Sequence, residues 1–356
     1  MSSWGDKVKI TVFGASHAKE IGVEIKGIEK GFTLDFDKIL KQMERRAPGR
    51  SHVATPRKEP DFPQIVSGVD NNTTTGDTIK MVIKNTNQHS KDYSSLKVCP
   101  RPGHADYTAY LKYNGELDMS GGGPFSGRMM APVVFAGELC RQILNKNYGI
   151  DIVSHIAEIG GIQDKKFADI IYTDELYAKL KNDSFPTICD NAKADMISSI
   201  EDAMSEQDSV GGIVECAILN MPKGVGGPIF DGVESVISSA MFSIPACKGV
   251  EFGIGFESVR LRGSQNNDEF VFDNGEVVTK TNNCGGILGG ITNGMPLTFR
   301  VGFKPTPSIS KVQNTVNLQT KENTTIEIVG RHDPCIVTRC APIVEAMAAI
   351  AIINLL

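Results

Sequence analysis

Ser126 to Lys146 is the segment that most narrows the folds open to this chain. It reads as a helix that is apolar on nearly every side, and such a helix is stable only when other elements cover it all round. Immediately before it stand three consecutive glycines, Gly121 to Gly123. Glycine costs conformational entropy and packs no core, so a triplet marks backbone that turns tightly or approaches a ligand closely. A glycine run opening a helix also leaves N–H groups that can bind an anion. Upstream, Arg101-Pro-Gly-His-Ala-Asp106 sets an arginine, a histidine and a carboxylate on one Pro-Gly turn. The remaining chain is expected to supply further pieces to this anion-rich centre.

Periodicity predicts the other elements. Lys7 to Phe13 and Ile21 to Ile28 alternate as strands, as do Gly76 to Lys84, Ile150 to Gly161, Ile213 to Leu219 and Leu297 to Phe303. Asp35 is placed to N-cap a helix whose apolar positions are Phe36, Ile39, Leu40 and Met43, and which stops at Arg45-Arg46-Ala47-Pro48-Gly49. Asn85 to Tyr93 reads as a polar loop, Lys165 to Asp195 as an irregular surface excursion, and Asp195 to Met204 as a short amphipathic helix. The most apolar stretch, Ala341 to Leu356, is shorter than a membrane span and carries Glu345, so it is expected to be a buried terminal helix. Glycine-rich turns run through the whole length without a linker or repeat. One integrated domain over residues 1–356 is expected.

Composition excludes several classes. Net charge is −5, which gives no electrostatic case for nucleic acid. The N-terminus MSSWGDKVKITVFG has no apolar signal region. Eight cysteines form no CxxC pair and mostly lie in apolar runs, as reduced core thiols of a cytoplasmic protein do. Histidines and cysteines lack zinc-ligand spacing, so no metal is expected.

Histidine is the side chain most readily tuned for proton transfer near neutral pH. Of six, His17, His104 and His332 lie in turn motifs, whereas His52, His89 and His155 read as structural or surface residues. Arg45, Arg46, Arg101, Arg128 and Arg331 all lie at element ends beside Gly or Pro. Arginine's planar fork suits carboxylate and phosphate. If these arginines face one cavity, its ligand is polyanionic; alternatively, Arg45 and Arg46 merely complement a helix dipole. The residues alone lead to an enzyme acting on a small, phosphate-bearing polyanion.

Several motifs then converge. RPGHAD at 101–106, DSVGG at 208–212, GSQNND at 263–268, GGILGGITNG at 285–294, KPTPS at 304–308 and GRHDPC at 330–335 together resemble the chorismate synthase family, over nearly the whole chain. The resemblance implies an α+β fold, a β-α-β sandwich of two mainly antiparallel sheets enclosing a helical layer, assembled as a homotetramer. It implies loss of phosphate and a ring hydrogen from 5-enolpyruvylshikimate 3-phosphate to give chorismate, the last common step of aromatic biosynthesis. Reduced FMN is the implied cofactor, with NADPH as a possible indirect reductant.

By motif, His17, His104 and Asp333 resemble the family's catalytic residues. Arg45, Arg46, Arg101, Arg128 and Arg331 are expected at the substrate's anions, Arg331 also beside FMN. Pro124, Phe125, Ser126, Pro245, Ala246, Gly289 and Lys304, Pro305, Thr306, Pro307 and Ser308 match the flavin-contacting segments. The chain departs from the family pattern at Ala15, Ala18, Ala47, His52 and Pro124. Pro124 has no N–H to donate, and Ala18 requires backbone that avoids positive φ. A non-catalytic relative, or a flavin-free enzyme of small phosphates, are the alternative readings.

Overall fold

A computed structural model describes residues 1–49, 53–54, 59–85, 98–328 and 333–356. The chain opens with β1 (Ser2–Trp4), β2 (Lys9–Gly14) and β3 (Glu20–Lys26), then α1 (Phe36–Arg46). The Asp35 carboxylate accepts from Lys38 N at 3.1 Å, which caps α1 as its sequence predicts. β4 (Gln64–Ser67), the small pair β5 (Val69–Asp70) and β6 (Thr73–Thr74), and β7 (Ile79–Lys84) follow. One antiparallel sheet results, in the order β1-β2-β3-β7-β4.

Next come α2 (Asp106–Tyr113), the long α3 (Met130–Tyr148), β8 (Asp151–Ile159), β9 (Ile162–Gln163), α4 (Asp174–Asn182), α5 (Asp190–Ser205) and β10 (Gly212–Leu219). After α6 (Val233–Phe242) and β11 (Cys247–Phe252), the turn-like α7 (Gly263–Asn266) leads to two hairpins, β12 (Phe270–Asp273) with β13 (Glu276–Thr279) and β14 (Ile287–Leu288) with β15 (Ile291–Thr292). β16 (Leu297–Phe303), the hairpin β17 (Gln313–Asn317) and β18 (Glu322–Ile326), and α8 (Ala341–Leu355) complete the chain. The second antiparallel sheet runs β11-β16-β10-β8-β9.

Helices lie between the sheets. α3 meets β2, β3 and β7 on one side, α8 meets β8 and β10 on the other, and α3, α6 and α1 pack on α8. This is the expected sandwich. Every residue of α3 from Met130 to Cys140 is buried, and so is α8 from Ala341 to Ile352, because each helix is covered on all faces. At Gly137 a side chain would run into the Ala346 backbone, so the glycine sets how closely α3 and α8 cross.

The layer also buries charge. Glu345 accepts from Arg45 Nη1 at 2.7 Å, from Ser154 Oγ at 2.8 Å and from Arg141 Nη1 at 3.3 Å. Burial alone would raise the Glu345 carboxyl, but Arg45 and Arg141 outweigh it and hold it below its ordinary range. The expectation that Arg45 joins a substrate site therefore meets a different finding: its guanidinium is spent on Glu345 inside the helical layer.

Residues 165–195 are more ordered than their sequence suggests. Thr173 caps α4 by accepting from Leu176 N at 3.2 Å, and Phe167 and Leu180 pack with Val153 and Ala217 in a second small core. Leu176 and Leu180, four apart, were the overlooked helical signal. His155 is fully buried: its Nδ1 lies 3.2 Å from Asp164 and its Nε2 2.8 Å from Glu215. Among the described residues, no helix is long and apolar enough to cross a membrane.

Candidate active site

The glycine triplet holds two histidines. Gly121, Gly122 and Gly123 have φ of 64°, 92° and 53°, left-handed values that an L side chain disfavours. A side chain on Gly121 would run into the His17 ring, and a Cβ on Gly122 would stand 3.5 Å from His104 Nε2. The bare backbone thus brings residues far apart in the chain to one place. Ser16 N donates to Gly123 O at 3.2 Å, which fastens the His17 turn to the same run.

His104 is aligned by its own motif. Its Nδ1 lies 2.7 Å from Asp106 Oδ1. Arg101 grips the same carboxylate in a fork, Nε to Oδ2 at 2.7 Å and Nη2 to Oδ1 at 2.8 Å. Arg101 Nη2 is also 3.1 Å from His104 Nδ1, but two donors cannot share a hydrogen bond. The shorter contact to a carboxylate decides the tautomer: Nδ1 carries the proton toward Asp106, and Nε2 faces the glycine run. Burial would raise the Asp106 carboxyl, but hydrogen bonds from Arg101 and His104 outweigh it and hold it far below its ordinary range.

A second cluster adjoins the first. Arg46 donates from Nη1 to Asp61 Oδ2 at 2.7 Å and from Nη2 to Gly127 O at 2.9 Å, so neither guanidinium at the end of α1 acts as a simple dipole partner. Arg128 pairs with Asp61 Oδ1, lies 2.9 Å from Glu59 Oε2, and donates from Nε to Asn85 Oδ1 at 3.1 Å. Asp61 spans both arginines from a left-handed backbone of φ 48°. Such strain, about 1–3 kcal/mol, persists where surroundings over-determine it. Burial lowers Arg46 to about 10, with Arg339 and Arg128 pressing the same way against Asp61. Arg46 Nε and Arg128 Nη2 are buried donors without a hydrogen-bond partner among the described residues. Orphaned donors of this kind are available to a ligand or to water.

Asp333 stands beside this cluster. One oxygen, Oδ2, is paired with Arg339, while Oδ1 is buried without a partner among the described residues. Val210 N donates to Pro334 O at 2.9 Å and Ser209 Oγ to Thr306 O at 2.7 Å, so the 208–212 turn joins the Asp333 segment to Lys304–Ser308. That segment in turn packs on the Arg101 turn: Arg101 Nη1 donates to Ser308 Oγ at 3.0 Å, and Lys304 Nζ to Gly103 O. Pro245 and Ala246 lie alongside, since Lys304 N donates to Ala246 O at 3.1 Å. Ala246 sits at φ 69°, a second strained non-glycine residue at the site.

An open cavity of about 410 Å³ lies beside Lys304, with Glu158, Lys248 and Phe303 in its wall and the bare backbone of Gly160, Gly211, Gly249 and Gly302 around it. Of the residues that the motifs assign to flavin, Lys304 lines it, and neither His17 nor His104 does. Burial and the neighbouring Lys248 lower the Lys304 ammonium. The Thr306 hydroxyl is buried and unpartnered among the described residues.

Other expected residues stand apart. Ser126 lies at the centre, its hydroxyl accepting from Arg128 N at 3.3 Å, whereas Pro124 and Phe125 face outward. Gly289 is exposed in the β14–β15 turn, and no contact among the described residues joins it to the histidines. Arg331, His332 and His52 lie outside the described residues. Ala18 does not adopt positive φ, so that departure carries no backbone strain. The sequence reading passed over Glu59, Asp61, Asn85 and Arg339. Only Arg339, a charge next to an apolar terminal helix, left a sequence signal; the others are polar loop residues whose partners only folding supplies.

Comparison with known proteins gives the family. Residues 8–356 match the family model described as chorismate synthase. A chorismate synthase of Dehalococcoides mccartyi is 46% identical over 99% of this chain and 96% of its own length. One from Methanocaldococcus jannaschii is 43% identical over 100% of this chain and 96% of its own. A crystal structure of chorismate synthase superposes with a TM-score of 0.76 at 27% identity, covering 99% of this chain and 92% of that one. With this likeness spanning nearly its whole length, the chain belongs to the chorismate synthase family, lyases that use reduced FMN.

Proposed function

We propose that the chain removes phosphate and a ring hydrogen from 5-enolpyruvylshikimate 3-phosphate to give chorismate. One carbon–oxygen and one carbon–hydrogen bond break, a ring double bond forms, and phosphate leaves. The carrying observation is the set of buried, unpartnered guanidinium N–H groups of Arg46 and Arg128 beside two glycine-held histidines. A substrate with one phosphate and two carboxylates suits that surplus of donors. Bound reduced flavin supplies transient electron donation and proton acceptance, with no net redox change.

The protein's own part is binding, orientation and proton handling. Arg46 and Arg128 would take substrate anions and Arg331 would add to them, while Arg101, which gives its guanidinium to Asp106 and Ser308, would hold the His104 turn in place. His17 would meet the leaving phosphate. His104 would give or accept a proton at Nε2, since Asp106 holds Nδ1–H. Asp333 would do so at Oδ1, since Arg339 holds Oδ2. Lys304 to Ser308, with Lys248, Pro245, Ala246 and Ser126, would hold the flavin. Positioning of this kind contributes several kcal/mol to a barrier.

Eight free thiols, most of them buried, favour a reducing compartment, and we assign the chain to the cytoplasm. Phe230, Phe256 and Phe272 are 88%, 74% and 80% exposed, which favours self-association, and we assign the homotetramer that the family resemblance implies.

The test is anaerobic phosphate release from 5-enolpyruvylshikimate 3-phosphate with chemically reduced FMN, with oxidised FMN as control. Release only with the reduced form is expected. No release, with flavin bound, would favour the non-catalytic relative and turn suspicion on Ala15 and Pro124. Replacing the chemical reductant by NADPH tests whether this chain can draw on it.

A further inference from the structure

Asn85 follows the last residue of β7, and its side chain touches both the histidine turn and Arg128. Its Nδ2 lies 2.7 Å from Ala18 O, 3.3 Å from Ser16 O and 3.4 Å from Ala15 O. Its Oδ1 accepts from Arg128 Nε at 3.1 Å. The amide can point only one way, because three carbonyls require the NH2 and a guanidinium N–H requires the oxygen. Its backbone is tied as well, Asn85 N donating to Lys19 O at 3.1 Å.

We propose that Asn85 is a positioning residue, which fixes the His17 turn relative to Arg128 so that both address one substrate molecule. The inference rests on the roles given above to His17 and Arg128. The turn it grips, Gly14-Ala-Ser-His-Ala18, links the paired strands β2 and β3 and is also tied by Ala18 N to Ala15 O at 3.0 Å and Ser16 N to Gly123 O at 3.2 Å. Arg128 is likewise held by carboxylates at Nη1, and only Asn85 among the described residues holds its Nε. One amide therefore sets the distance between the group expected at the leaving phosphate and a group expected at an anion. A displacement of about 1 Å between such groups costs roughly a hundredfold in rate.

The two ends of the amide can be separated by substitution. Asn85→Asp keeps an acceptor for Arg128 and loses every donor to the turn. Asn85→Ala loses both. With reduced FMN and 5-enolpyruvylshikimate 3-phosphate, Asn85→Asp is expected to lower kcat by about 10- to 100-fold with KM nearly unchanged. Asn85→Ala is expected to lower kcat similarly and also to raise KM by about tenfold. A variant with wild-type kcat would overturn the proposal, and so would an Asn85→Asp whose KM rises as much as that of Asn85→Ala. Each variant that folds, judged by its thermal midpoint, carries the test alone. His17→Ala and Arg128→Lys serve as references. If both keep wild-type kinetics, the reading of the site fails; if both are impaired while the Asn85 variants are not, only the Asn85 proposal fails.

Discussion

Gly121 shows how much depends on an atom that is absent. Its backbone is left-handed at φ 64°, and a Cβ there would occupy the space of the His17 ring. Gly121→Ala is expected to lower phosphate release by about a hundredfold or more through displacement of His17. Its stability cost should be only about 1–2 kcal/mol, the strain of one left-handed alanine. Parallel turnover assays and thermal unfolding separate the two, and an active variant would detach His17 from the chemistry. The glycines and histidines were legible in the sequence because each is rare and placed on a turn. Asp61 and Asn85 were not, since an aspartate or asparagine in a loop acquires meaning only from what folding sets against it. Arg45 and Arg46 show the same limit: adjacent on α1, they point to Glu345 and Asp61, on different sides of the helix.

Among the elements, β8 and the excursion that follows it hold the clearest pH-dependent contact. Burial would lower His155, but Asp164 and Glu215, one on each ring nitrogen, outweigh it and raise the imidazole above its ordinary value. The Phe167 ring packs edge-on against the imidazole with Tyr172 stacked behind it, and Asp164 also accepts from Ile188 N and Cys189 N, tying down the chain after α4. The stabilisation is fully present below the unfolded value near 6.5 and is lost as pH rises through the higher folded one. His155→Asn, which leaves two buried carboxylates without their cation, is expected to cost about 3–5 kcal/mol at low pH. Urea unfolding of wild type and variant between about pH 6 and pH 9 checks this, since linkage requires the gap to narrow as pH rises. A constant gap would mean a neutral imidazole. The strands and the α1 cap were readable from alternation and from Asp35. The order within 165–195 was not read, although Leu176 and Leu180 carry the helical spacing, because its apolar residues are interleaved with charge and find their cover only on the far side of the second sheet.

On the scale of the whole molecule, the exposed aromatics form the least settled part of the surface. Phe270 and Phe272 lie two apart on β12, hence on one face of the β12–β13 hairpin, and are 64% and 80% exposed. A double variant Phe270→Ser, Phe272→Ser is expected to lower the oligomeric mass in sedimentation while helical content stays intact. An unchanged mass would assign the hairpin to another role. By itself the sequence determined the period of each strand, the burial of the two apolar helices and the chemistry gathered in its motifs, since these depend on local spacing and residue type. Only the tertiary structure decided which arginine meets which carboxylate, that one glycine run carries both histidines, and that Asn85 joins the His17 turn to Arg128. Those pairings cross tens to hundreds of residues, and the loop closures that create them are driven by core burial, which no local pattern records.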